Sequence, residues 1–277
     1  MIARRALLPL AAALACPGLA RAGGPTTLAL GPHPRQAVDV YERPGLRDAP
    51  VLMFVHGGGW SIGDRRHVNS LPAYAERHGL LLISVGYRLA PEVDAGGCAE
   101  DVASACAWAM ENAARFGGAP ARVFLAGHSA GAHLAALVGV DGGYLGAHGR
   151  APSDMAGVIP VDGAGYDAVA QMAFLGEGPG LLATMYRQAF GARAAALSPT
   201  LLARAGQAYP PFLIFHVADR PDARRQSEGL ARALVAAGGD AQVVAAPGET
   251  HRTINVDFGK PGDPEGERAA AFVLGRG

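Results

Sequence analysis

The sequence is most constrained by a rhythm. Short apolar runs, Val51 to Val55, Leu80 to Val85, Arg122 to Ala126, Gly157 to Val161, Phe212 to Val217 and Ala241 to Ala246, alternate with segments of helical composition. The helical segments are Arg65 to His78, Ala99 to Phe116, the small-residue stretch through Val138, Arg224 to Ala237, and Pro264 to Leu274. Runs this apolar and this short need burial on both faces, which a mostly parallel sheet covered by helices on each side provides. Thr26 to Leu30 and Ala37 to Tyr41 read as strands ahead of that series. Residues 168 to 205 interrupt the rhythm with a longer helix-rich segment. In such sheets ligands sit beyond the carboxyl ends of the strands, so the segment reads as a short helical insertion over the site. With no internal repeat or low-complexity linker, residues 23–277 form one domain.

Composition excludes some classes. Lys plus Arg and Asp plus Glu number 24 each in the 277 residues, which leaves no net charge to hold a nucleic acid. The N-terminus has the form of an export signal, residues 1–22: Arg4 and Arg5, the apolar run Ala6 to Ala15, then Ala20-Arg21-Ala22. The apolar run is about half of the roughly 20 residues a spanning helix needs. A secreted or periplasmic protein cleaved after Ala22 is therefore expected, with no stable membrane insertion, and the Arg4-Arg5 pair leaves a twin-arginine route open. Cys16 leaves with the leader. On one helix, Cys98 and Cys106 stand roughly 12 Å apart by helical rise, beyond the reach of a disulfide, and are expected as buried free thiols.

Gly127-His128-Ser129-Ala130-Gly131 fits G-x-S-x-G, the turn that carries a strand into a helix and holds a serine hydroxyl clear of the backbone. A second match, Gly59 to Gly63 around Ser61, lies in a loop several residues past its strand. Ser129 directly follows an apolar strand and opens a helix of small residues, so it is the candidate nucleophile. Upstream, Val51 to Val55 runs into His56-Gly57-Gly58-Gly59-Trp60. Acyl transfer develops negative charge on a carbonyl oxygen, and the bare amides of Gly58 and Gly59, with that of Ala130, suit an oxyanion hole. A phosphate cradle would want G-x-G-x-x-G before a helix, a spacing absent from this loop.

The general base is expected to be His251, which follows the last strand in Pro247-Gly248-Glu249-Thr250-His251. Of the other histidines, His128 is expected beside the elbow, His133 in the core, His56 bracing the glycine loop and His216 satisfied within its strand. The acid that orients the imidazole has three candidates. Asp219, just beyond Phe212 to Val217, is the expected one, with Asp222 and Asp162 as competitors.

Together these pieces resemble the α/β-hydrolase esterases related to hormone-sensitive lipase and the bacterial carboxylesterases. The matching stretches are His56 to Trp60, Tyr87-Arg88-Leu89-Ala90-Pro91-Glu92, Phe116-Gly117-Gly118, Gly127 to Gly131, and Pro247 to His251. The resemblance implies an α/β-hydrolase fold and a serine hydrolase of small-molecule carboxylic esters without cofactor or metal. It implies Ser129, Asp219 and His251 as the triad and Gly58, Gly59 and Ala130 as the oxyanion hole. One departure is His216-Val217-Ala218, where many relatives have a glycine before the acid. Gly127 to Leu134 also resembles the kynurenine formamidases, although their glycine loop usually carries an aromatic residue. Rival readings are a formamidase, amidase or peptidase on the same triad, a lipase marked by an apolar rim around residues 168 to 205, and a binding protein on an inactive scaffold.

Overall fold

The structure is a computed structural model that describes residues 24–176 and 178–275. The expected export signal lies outside these residues. Eight strands form one sheet: β1 (Thr26–Ala29), β2 (Ala37–Tyr41), β3 (Ala49–Val55), β4 (Leu81–Val85), β5 (Gly118–His128), β6 (Gly157–Val161), β7 (Phe212–Val217) and β8 (Ala241–Ala246). Their spatial order is β1-β2-β4-β3-β5-β6-β7-β8. The first two join antiparallel and every later pairing is parallel.

The apolar runs are buried on both faces, as their composition requires. Along β3, Val51, Met53 and Val55 enter one core cluster while Leu52 and Phe54 enter the other. β5 repeats the alternation with Val123 and Leu125 against Phe124 and Ala126. Each such side chain contributes about 1.5–3 kcal/mol on full burial. The first cluster is covered by α2 (Ala95–Asn112), α3 (Ala130–Val140), α6 (Leu181–Phe190) and α8 (Pro221–Ala236), the second by α1 (Leu71–His78), α9 (Thr253–Val256) and α10 (Pro264–Leu274). Three short helices complete the set: α4 (Gly142–Gly146), α5 (Ala168–Leu175) and α7 (Pro199–Leu202). Helices α5, α6 and α7 make up the expected insertion. Among the described residues no helix is long and apolar enough to cross a membrane.

Several boundaries differ from expectation: β5 runs over Gly118–His128 rather than Arg122 to Ala126, and α8 starts at Pro221 rather than Arg224. The helix expected from Arg65 begins only at Leu71, because Asn69 adopts φ 46° and Pro72 suits only a helix's first turn. Arg65 is instead held to the sheet: its Nε donates to Asp39 Oδ1 at 2.9 Å, and its carbonyl accepts the Ser84 hydroxyl. Helix α2 starts four residues early because the Asp94 carboxylate accepts the Gly97 N–H at 3.0 Å and caps it. Cys98 and Cys106 are buried and free.

Candidate active site

At the carboxyl end of β5 the chain turns into α3 through Ser129, at φ 57° and ψ −118°. A non-glycine residue in that region is strained and persists only when its surroundings dictate it. Here the Ser129 N–H donates to the Val161 carbonyl of β6 at 3.0 Å, and the Ser129 carbonyl accepts the His133 N–H at 3.2 Å. Close packing fixes the turn further, since a Cβ on Gly131 would collide with the Val55 carbonyl.

His251 projects from the loop after β8 and brings Nε2 to 3.0 Å from Ser129 Oγ. Its Nδ1 lies 2.6 Å from Asp162 Oδ2. The acid at His251 is thus Asp162, and the expectation of Asp219 is corrected. Strand register is the reason. Val161 pairs with His128 on one side and Phe215 on the other, so Asp162 leaves β6 beside Ser129. Asp219 lies two residues beyond the end of β7, in an exposed turn, and among the described residues His251 Nδ1 hydrogen-bonds to Asp162 and not to Asp219. Asp222, the other competitor, accepts a hydrogen bond from Arg220 Nη2 at 3.2 Å instead.

Asp162 is wholly buried, with φ 47°. Burial alone would raise its carboxyl; the hydrogen bond from His251, the Arg220 charge and the Val217 N–H, 2.9 Å from Oδ1, outweigh that and hold it below the usual carboxylate range. Arg220 Nη1 shares Oδ2 with His251 through a short ion pair and also lies 2.6 Å from His251 Nδ1. Sequence reasoning missed Arg220 altogether. The signal for Asp162 was present: an acid at the very end of an apolar strand, followed by Gly163-Ala164-Gly165, which lets the chain turn sharply.

The glycine loop faces the same place. Gly57 lies so close that an added Cβ would come within 3.1 Å of Ser129 Cβ. Gly58 has φ 126°, and its carbonyl accepts the N–H groups of Ser61 and Ile62, which curls the loop over the cleft. Ala130 is the first residue of α3, where an N–H has no intrahelical partner. Gly58, Gly59, Ala130, Ser129 and His251 line one cleft of about 430 Å³, bordered by Ile62, Leu182 and Met185. Ser61, the other motif serine, bonds back to the Gly59 carbonyl at 3.1 Å.

The four other histidines with expected places are structural neighbours. His128 Nε2–H donates to the His251 carbonyl at 2.9 Å, and burial, then the neighbouring His251, push its ring down to about 3. His133 is buried, accepts the Trp60 indole N–H at 3.2 Å and donates to Leu197 O at 2.8 Å. His56 stacks on Tyr87 and donates to the Gly57 carbonyl at 2.8 Å, with burial pushing it down to about 4. His216 is buried in β7 against the Val217 carbonyl. Chemically, the arrangement can pass a hydroxyl proton from Ser129 to His251 and hold the resulting charge against Asp162.

Known proteins match parts of this chain. Carboxylesterase NlhH of Mycobacterium tuberculosis is 42% identical over 103 residues, covering 36% of this chain and 32% of that protein. Carboxylic ester hydrolase LipN of the same organism is 41% identical over 100 residues, 35% and 27% of the two chains. These matches thus span about a third or less of the relatives' own length. Among solved structures, the butyrate-bound esterase Est2 of Thermogutta terrifontis superposes with a TM-score of 0.71 at 23% identity, covering 92% of this chain and 95% of the other. The alpha/beta hydrolase fold family matches residues 52–255, most of the chain, and the protein belongs to that family.

Proposed function

We propose that the protein is a serine hydrolase that cleaves carboxylic esters through an acyl-enzyme. The observation that carries the reading is the continuous chain from Ser129 Oγ to His251 Nε2, and from Nδ1 to buried Asp162, in a cleft also lined by Gly57 to Gly59. His251 takes the Ser129 proton as Oγ attacks the ester carbonyl, and Asp162 stabilises the imidazolium. The oxyanion is met by the amides of Gly58, Gly59 and Ala130. Collapse of the tetrahedral adduct breaks the bond to the alcohol, which leaves with the proton from His251. Water then attacks the acyl-enzyme by the same route and releases the acid. The relatives named as carboxylesterase and carboxylic ester hydrolase support the ester class. In the test, Ser129→Ala should abolish both turnover of p-nitrophenyl acetate and labelling by a fluorophosphonate. Retained turnover would contradict the assignment.

A second reading, hydrolysis at a lipid surface, is favoured by one observation. Ile62 and Leu182, 59% and 46% exposed, border the cleft, and Leu181 beside them is 74% exposed. A rise in turnover of a long-chain ester at its critical micelle concentration would support it. The export reading carries its own check: mature protein with an intact N-terminus would contradict cleavage after Ala22.

A further inference from the structure

Arg220 stands where a simple serine–histidine–acid site has no need of a cation. It occupies the N-cap position of α8, an end at which positive charge is electrostatically disfavoured. Its partners explain the placement. Nη1 pairs with Asp162 Oδ2 while Nη2 donates to Asp222 Oδ2 at 3.2 Å, so one guanidinium fork spans two carboxylates. Asp162 is fully buried, Asp222 is 18% exposed and Arg220 25%, which leaves little water to screen them. Nη1 is also 2.6 Å from His251 Nδ1. When Nδ1–H points at Asp162, two donors crowd one oxygen, and the crowding becomes charge repulsion once the imidazole takes a second proton.

The charged and titratable groups around His251 can be named from each side. Asp162 comes from the end of β6, Arg220 and Asp222 from the start of α8, and His128 from β5, its ring centroid 4.6 Å away. His128 is neutral at working pH, and Glu249 and Arg252 flank His251 in sequence. Of these, only Arg220 puts a positive charge against the imidazole's inner edge while sharing its acid.

We propose that Arg220 is a positioning residue that anchors Asp162 and, balanced by Asp222, sets the pH below which His251 no longer accepts the Ser129 proton. The proposal rests on the ester-hydrolase reading above. Arg220 opposes the imidazolium and keeps the base free at lower pH; Asp222 offsets part of that positive charge. Lys cannot reproduce the fork, because a single ammonium does not span both acids.

The test is the kcat/KM profile on p-nitrophenyl acetate from pH 4.5 to 9 for the wild type, Arg220→Met, Arg220→Lys and Asp222→Asn, with Ser129→Ala alongside. Arg220→Met should move the acid limb up by about 0.5–1 pH unit and Asp222→Asn should move it down, with Arg220→Lys between wild type and Met. Thermal melts at pH 7 report folding; if Arg220→Met does not fold, the Lys and Asn variants still give the two opposite directions. Limbs that stay in place, or move the same way, overturn the proposal and leave Arg220 as a brace. Turnover surviving in Ser129→Ala would instead bring down the ester-hydrolase reading, a distinguishable result.

Discussion

Ser129 and Val161 are joined by a hydrogen bond from the Ser129 amide to the Val161 carbonyl, 3.0 Å long, across neighbouring parallel strands. That bond fixes the turn at Ser129 against the end of β6, so that Asp162, the residue immediately after β6, leaves the strand beside it. The elbow tolerates no added volume on its inner side. Gly131→Ala should destabilise the protein by about 1–3 kcal/mol as the new Cβ meets Val55, read from the urea midpoint. An unchanged midpoint would mean the turn has slack that its packing denies.

Trp60 ties the glycine loop to the helix behind Ser129. Its indole donates to His133, and its ring meets Tyr186 and Phe190 edge-on at 4.9 and 4.8 Å. Trp60→Ala should cost about 3–5 kcal/mol. Trp60→Phe keeps much of the packing but strands the His133 acceptor, and should cost about 1–3 kcal/mol. Urea unfolding of both variants checks the ranking, which fails if Phe is as damaging as Ala.

Glu265, buried at the start of α10, gives a stability signature. Burial first, then its hydrogen bond and charge contact with Asp263, push its carboxyl up to about 7. The folded state therefore retains a proton that the unfolded chain releases near the ordinary glutamate value, and stability falls as pH rises from about 4.5 through 7. Glu265→Gln, a mimic of the protonated form, should match the wild type near pH 4 and exceed it by about 3 kcal/mol at pH 8. Equal stability at both pH values would contradict this.

Much of the fold was legible because buried parallel strands leave unambiguous runs, and Val51 to Val55 or Phe212 to Val217 can be little else. Ser129 and His251, the proposed nucleophile and base, were legible because each follows such a run closely. The proposed acid was legible only as one of three candidates, because the choice among them depends on register across three strands and on which side chain the β7 turn directs inward. That turn sends Asp219 to solvent and Arg220 toward His251. No local pattern encodes that exchange. The start of α1 was misjudged for a related reason: Arg65 and Ser84, far apart in sequence, hold the preceding loop in place.

Which carboxylate serves His251 is decided by kcat/KM for Asp162→Asn and Asp219→Asn, measured side by side on p-nitrophenyl acetate at pH 7.5. Asp162→Asn should lose about 10³–10⁴-fold while Asp219→Asn stays within a few-fold of the wild type. The reverse ranking would contradict the arrangement of Ser129, His251 and Asp162 described above.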